Sequence, residues 1–483
     1  MRLSQYQAYS IYQAATLLQA ASHPVHHRAL QIGRCRVLVI AVLVALQARA
    51  AVAPSVFGVD APELARLGPF AVGVRTLSLV EHGQPDPLAI DAKSGSAPKR
   101  DRNLTVDLWY PASSAPDAPK ETYVGSLPSE PPAPPATFVV SGVAVRNARP
   151  MGSGYPLVVV SHGYSNATAA MTWLTENLAS KGYVVAAIRH DDPPITDRSK
   201  FPQLLLRRPL DIAYVTRNLQ RMLGAEELID PSLTALIGYS MGGYGVLTAG
   251  GATLDPKGPP TQMIPGGLLM PFVRGAAQAG EVSVKDLKAV VAISPAGGGT
   301  LAAWGAEGLR ALDVPLLLIQ GDHDRTVDYA TGAHAFFEGA VNAPRYLLTF
   351  LGGGHAIGLN PPPESMRKRL WDQEWFQDPV WRAERVNEIN AHFITAFLDR
   401  YVKGDESRAA YLDVPVTKSA EGVWPAAAPG SPPTPYDAYS PGSPGITVWK
   451  GFQRTEAAGL EMLRSGTGPS APTAGEVASI GGR

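Results

Sequence analysis

The chain predicts an α/β fold: a mostly parallel sheet with helices on both faces. Two observations carry that prediction. Short runs of purely apolar residues recur through the middle of the chain, as in YPLVVVS, YVVAAI and LTALI. Segments with apolar residues at helical spacing stand between them. Strands buried on both faces and alternating with helices are what a covered parallel sheet requires. The composition permits it, because 483 residues with 45% hydrophobic and 17% charged side chains can bury a sizeable core.

The first element reads as an address. Val37 to Leu46 is an unbroken apolar run, preceded by Arg28, Arg34 and Arg36 and followed by small residues from Ala48 to Ala53. Positive, apolar and small, in that order, is the layout of a secretory signal. Residues 1–53 are therefore expected to be a signal and leader, and the rest of the chain exported to the periplasm or the outside. A buried helix or an uncut anchor is the competing reading, and the stretch ahead of the run is long for a signal. The run itself is short of the roughly 20 residues a membrane span needs, so no span is expected after processing. Cys35 is the single cysteine, which excludes an intrachain disulfide and a Cys–Cys redox motif.

The main folded domain is expected over 54–403. Val72 to Val80 and Leu104 to Tyr110 alternate apolar and polar residues, as half-buried strands do. Pro111 to Ala136 is rich in Pro, Ala and Ser and reads as a long surface loop. Tyr155 to Ser161 is a buried strand, Ala167 to Ser180 a helix closed by Lys181 and Gly182, and Tyr183 to Ile188 another buried strand. Pro209 to Leu223 has helical spacing, and Leu233 to Ile237 is a third buried strand. Val290 to Ile293, Pro315 to Ile319 and Arg345 to Phe350 supply three more. Gly250 to Lys285 interrupts the alternation; it is either a lid or a passive insertion. Trp381 to Val402 reads as a final long helix. Residues 404–483 form a Pro/Gly/Ser-rich extension, in which Trp449 to Leu463 alone has the apolar content to pack back.

Chemistry concentrates at the ends of these strands. Gly238-Tyr239-Ser240-Met241-Gly242 follows one strand and opens a helix. In such a turn the serine hydroxyl projects above the sheet, the glycines let backbone pass close by, and the amide of Met241 points at a developing oxyanion. A serine hydroxyl needs a base. His355 follows three glycines after the strand YLLTF, where a loop can return an imidazole over the sheet edge. The imidazole needs a carboxylate in turn, and three aspartates in GDHDRTVD compete: Asp322, Asp324 and Asp328. A second oxyanion donor is expected from the loop Ser161-His162-Gly163-Tyr164, through the amide of Tyr164. His162 reads as ordering that loop. Arg189-His190-Asp191-Asp192 lies at the carboxyl end of the sheet, where ligands bind, and suits either pocket shaping or a salt-bridged loop.

At these residues the sequence resembles the α/β-hydrolase superfamily. More narrowly it is similar to bacterial predicted dienelactone hydrolases, which are akin to platelet-activating-factor acetylhydrolases and polyester hydrolases. LTVDLWYPA, YPLVVVSHGYS, GYSMGG, QGDHDRTV and GGGH carry the resemblance. It covers about Gly68 to Gly404 and implies the α/β-hydrolase fold with an eight-stranded, mostly parallel sheet. It also implies no cofactor, no metal and hydrolysis of carboxylic esters. It selects Asp324 as the acid, because these families place it three residues after the glycine and three before a valine. Asp322 is then left to bond backbone in the turn and Asp328 to cap the next helix. The order Ser240, Asp324, His355 is the superfamily's order. True dienelactone hydrolases carry a cysteine where this chain has Ser240, so their substrate is not implied.

The expected activity is that of a serine esterase acting through an acyl-enzyme on a small or polymeric ester. The residues leave peptidase, amidase, thioesterase and acyltransferase chemistry open. A non-catalytic binding protein is disfavoured, because all three members of the triad are present. Equal numbers of basic and acidic residues, 42 of each, argue against a nucleic-acid partner.

Overall fold

Apolar runs become strands in the order read from the sequence, with additions. The computed structural model describes residues 57–468 apart from 59, 92–93, 95, 116, 425–428, 431–444 and 453–456. The leader read over 1–53, with Cys35, lies outside the described residues. The strands are β1 (Ala71–Pro85), β2 (Lys99–Ser113), β3 (Thr122–Leu127), β4 (Ala136–Ser141), β5 (Val145–Arg146), β6 (Arg149–Pro150), β7 (Tyr155–Ser161), β8 (Val184–Arg189), β9 (Ile229–Tyr239), β10 (Leu287–Ile293), β11 (Leu316–Gly321), β12 (Arg345–Phe350) and β13 (Leu460–Ser465). The helices of nine or more residues are α1 (Thr172–Ser180), α2 (Pro202–Ala225), α3 (Met241–Ala249) and α4 (Ala383–Tyr401). Among the described residues no helix is long and apolar enough to cross a membrane.

One sheet runs in the order β13-β12-β11-β10-β9-β7-β8-β2-β1-β5, with β6 beside β2. The six strands from β12 to β8 are parallel, whereas β2 is antiparallel to both β8 and β1. The expected eight strands are therefore present as β1, β2 and β7 to β12, inside a mixed sheet of eleven. Along β7 the side chains alternate faces. Leu157 and Val159 join the core under α2 and α3, while Val158 and Val160 join the core under α1 and α4. The chain leaves β7 through α1 to β8 on one side, and leaves β9 for β10 on the other. The sheet order reverses between β7 and β9, and a crevice opens at such a point beyond the carboxyl ends of the strands.

Three differences from the sequence reading have physical causes. First, α2 begins at Pro202 and runs through Pro209, which was expected to start it. A proline inside a helix strands the carbonyl four residues earlier. Here that carbonyl, of Leu205, accepts from the Tyr244 hydroxyl at 2.7 Å. Second, the Pro-rich stretch read as a loop contains β3, paired with β4. Tyr123, Leu127 and Phe138 point inward from this hairpin, and Gly125 leaves room for the Phe138 ring. Third, the extension past residue 404 adds β13, antiparallel to β12. Leu460 and Met462 are its buried positions, and Trp449 and Phe452 pack on Phe393 of α4.

Trp449 is 1% exposed and donates to the carbonyl of Val416 at 2.9 Å. Trp449→Ala is expected to cost about 3–5 kcal/mol of stability. Urea unfolding of the two proteins would measure it, and a change below ~1 kcal/mol would mean that this strap does not hold the domain together.

Residues 250–285 pack inward as well. Leu254, Ile264, Leu269, Phe272, Val273 and Val282 belong to the core on the α2 face.

Candidate active site

Ser240 sits between the end of β9 and the start of α3, with φ 54° and ψ −115°. That is a sparsely populated conformation for a residue with a side chain, costing roughly 1–3 kcal/mol. The surroundings enforce it. Its amide donates to Ile293 at the end of β10 (2.9 Å), and its carbonyl accepts from Ala296 (3.0 Å) and Tyr244 (3.2 Å). The flanking glycines are steric requirements: a Cβ on Gly242 would lie 2.0 Å from the Ser161 carbonyl, and one on Gly238 would lie 2.2 Å from the Gly242 carbonyl.

The loop after β12 brings His355 to this serine. Asp322 accepts from the amide of Gly352 and Asp378 from that of Gly354, each at 2.6 Å. The Tyr239 hydroxyl donates to the carbonyl of His355 at 3.1 Å. So braced, His355 places Nε2 3.0 Å from Ser240 Oγ and Nδ1 2.8 Å from Asp324 Oδ2. The other oxygen of Asp324 accepts from the amides of Thr326 (2.8 Å) and Val327 (3.1 Å). Burial by itself would raise this carboxyl, but the bond to His355, its charge and those two amides hold it below the usual range. A carboxylate only accepts, so Nδ1 carries the proton and Nε2 faces the serine with its lone pair. Of the competing aspartates, Asp322 bonds backbone and Asp328 caps Thr331 at 2.8 Å. His323 is exposed at the loop surface.

A cleft of about 570 Å³ opens over Ser240 and His355. Tyr164, Phe201, Tyr239, Leu301, Trp371 and Trp375 give it a largely apolar, aromatic lining. No residue of 250–285 lines it; its walls include Ile195 to Phe201 and Trp371 to Trp375. Trp375 donates to the Pro128 carbonyl at 3.0 Å and Ser129 to Asp372 at 2.6 Å, so the β3–β4 connection anchors that second wall. Met241 and Tyr164 both border the cleft beside Ser240. The amide of Met241 opens α3, where no earlier turn supplies an acceptor. Neither its amide nor that of Tyr164 donates to another backbone group among the described residues. His162 is buried, and burial followed by the charge of Arg208 pushes its imidazole down to about 3. Among the described residues no group of three His, Cys, Asp or Glu is placed to hold a metal.

Beneath the Tyr164 loop lies a second string of serine, histidine and aspartate. Ser161 Oγ is 2.9 Å from His190 Nε2, and His190 Nδ1 is 2.8 Å from Asp211 Oδ2. Distances alone would not separate it from the first string; burial and charge do. All three side chains are inaccessible. Arg208 Nη1 donates to Ser161 Oγ at 3.1 Å, and Arg102 grips both oxygens of Asp211 at 2.6 and 2.7 Å. Burial would raise the Asp211 carboxyl, yet Arg102 and His190 hold it below the usual range, while burial pushes His190 down to about 3. Only Ser240 meets a cleft. Part of this network was visible in the sequence as Arg189 to Asp192, but Arg102, Arg208 and Asp211 carried no motif.

The comparisons with known proteins bear on this geometry. Residues 145–257 match the family model described as PETase, PET hydrolase-like. That stretch holds Tyr164, the switch point and the Ser240 elbow; Asp324 and His355 lie beyond it. The strand order, the elbow and this match agree. The chain has the α/β-hydrolase fold. Its ninth long strand, β13, extends this α/β-hydrolase sheet past β12. Among solved structures, the chain is similar to the ferulic acid esterase from Streptomyces cinnamoneus, with 23% identity over 73% of this chain and 93% of that one and a TM-score of 0.46. No curated protein sequence matches.

Proposed function

We propose that the protein is a serine hydrolase that cleaves carboxylic esters through an acyl-enzyme. The observation that carries this reading is the relay Asp324–His355–Ser240, bonded at 2.8 and 3.0 Å and open to an apolar cleft. Ester bonds are favoured by the PET hydrolase-like match over 145–257. His355 Nε2 takes the hydroxyl proton as Ser240 attacks the ester carbon. Asp324, ionised and buried, stabilises the imidazolium that forms. The amides of Met241 and Tyr164 receive the negative oxygen of the tetrahedral intermediate; each such donor is typically worth about 100- to 1000-fold in rate. His355 then protonates the departing alcohol, and water enters by the same steps in reverse to release the acid. The leader's order of charge, apolar run and small residues supports export of the enzyme.

Treatment with a fluorophosphonate tests the reading. One equivalent should attach, peptide mapping should place it on Ser240, and hydrolysis of p-nitrophenyl esters should stop. Attachment at Ser161 or any other serine, with turnover lost, would sink the assignment.

A further inference from the structure

We infer that Arg208 is a positioning residue that aims the Tyr164 amide into the cleft. This rests on the serine-hydrolase reading and deepens it. Arg208 lies within α2 and is fully buried. Its guanidinium is wrapped by the loop that follows β7. Nη1 donates to the carbonyl of His162 and to Ser161 Oγ, and Nη2 donates to the carbonyl of Gly163 at 3.0 Å. It also pairs with both oxygens of Asp192. Asp192 in turn accepts from the amide of Ser165 at 3.0 Å.

The consequence follows from the planarity of the peptide. The Gly163 carbonyl and the Tyr164 amide belong to one peptide unit, and among the described residues the only cis bond is Pro131-Pro132. In a trans peptide the C=O and N–H point in opposite directions. Three donors hold the carbonyl: Arg208 Nη2 at 3.0 Å and His162 Nδ1 at 2.7 Å from within, and the Asn166 amide, more weakly, at 3.3 Å. The His162 tautomer is set as well, because its Nε2 accepts from the His190 amide at 3.3 Å. With one end of the plane pinned inward, the N–H at its other end is aimed outward, beside Ser240. Ser165, the next residue, has φ 51°, and its amide is tied to Asp192. The loop is thereby clamped on both sides of the donor.

Arginine suits this task through geometry. Its planar fork of five N–H groups serves the carbonyls of 162 and 163, a hydroxyl and a carboxylate together. A lysine offers three donors at a single point, so it can keep the pair with Asp192 but cannot hold both carbonyls. A purely structural arginine would make different predictions. Its loss would lower stability and the folded fraction, while the folded molecules turned over at the normal rate.

The test is Arg208→Lys in the full chain, with active sites counted by fluorophosphonate titration. The expected result is a kcat about 100-fold lower per titrated site, the scale of one lost oxyanion donor, with KM within about twofold. Affinity for a trifluoromethyl ketone, which binds as a tetrahedral oxyanion, should fall in parallel, and that for the carboxylic acid product should not. An unchanged kcat and ketone affinity per site would overturn the proposal. Should Arg208→Lys not fold, Asp192→Asn serves instead. It keeps the shape, loosens the clamp on Arg208 and Ser165, and should lower kcat and ketone affinity together; no change in either overturns the proposal. Ser240→Ala separates the two ideas. If it retains turnover, the serine-hydrolase reading fails. If it is inactive while Arg208→Lys keeps full kcat, only the role of Arg208 fails.

Discussion

Ser240→Ala is expected to abolish ester turnover and to leave the fold standing. The loss in kcat is expected on the order of 10⁶-fold, the scale seen when a triad nucleophile is deleted. The hydroxyl oxygen is the only heavy atom removed. The strained backbone at φ 54° is held by Ile293, Ala296 and Tyr244 through main-chain groups, none of which the substitution touches. Alanine keeps the Cβ, so the steric cost of that conformation is the same in both proteins. Stability should therefore change by less than about 0.5 kcal/mol. Rate measurements on a p-nitrophenyl ester, paired with urea unfolding, check both halves. Turnover within tenfold of the parent would remove Ser240 from the chemistry.

Asp324→Asn should lower kcat by about 10⁴-fold with little effect on KM, and here the hydrogen bonds dictate the reason. The amides of Thr326 and Val327 both donate to Oδ1, so the carbonyl oxygen of an asparagine must take that place. Its NH₂ group is then forced toward His355 Nδ1, and Gln320 Nε2, 3.2 Å away, adds a second donor facing it. His355 must accept at Nδ1 and carry its proton on Nε2, which faces Ser240 with a hydrogen in place of a lone pair. The variant is folded but holds the wrong tautomer. The pH dependence of stability has a definite sign. The folded-state pKa of Asp324 is lowered, so its ionised form stabilises the protein above the ordinary carboxylate range. That contribution is lost as the pH falls through the lowered value. The stability gap between the parent and Asp324→Asn should thus be widest near neutral pH and close in acid. A gap that stayed constant from pH 7 to pH 3 would contradict the ionised, buried carboxylate.

Much of this site was legible in the residues. The elbow is a local steric solution, and Gly238 and Gly242 announce it because no other residue clears the Ser161 and Gly242 carbonyls. Three glycines ahead of His355 signal a loop able to fold back. The choice of Asp324 over its neighbours rested on resemblance, and the structure places it 2.8 Å from His355. The pocket walls were not legible. Trp371 and Trp375 belong to no motif, and their placement depends on Pro128 and Ser129, more than two hundred positions earlier. The hairpin over β3 and β4 was hidden by its Pro, Ala and Ser content, since its register depends on Phe138 closing over Gly125.

The residues read alone set the alternation of strands and helices, the strained serine turn and the order of the candidate catalytic groups. These follow from periodicity and from sterics within a few residues. The tertiary structure decided which of two Ser-His-Asp strings meets a cleft, that a tail strand closes the sheet edge, and that an arginine within α2 clamps the Tyr164 loop. Burial and the pairing of charges arise only when distant elements meet. Ser240 and His355 are 115 residues apart, and Arg208 lies 45 residues from the Gly163 carbonyl it holds. No local pattern encodes such a meeting, because the free energy that selects it belongs to the packed whole.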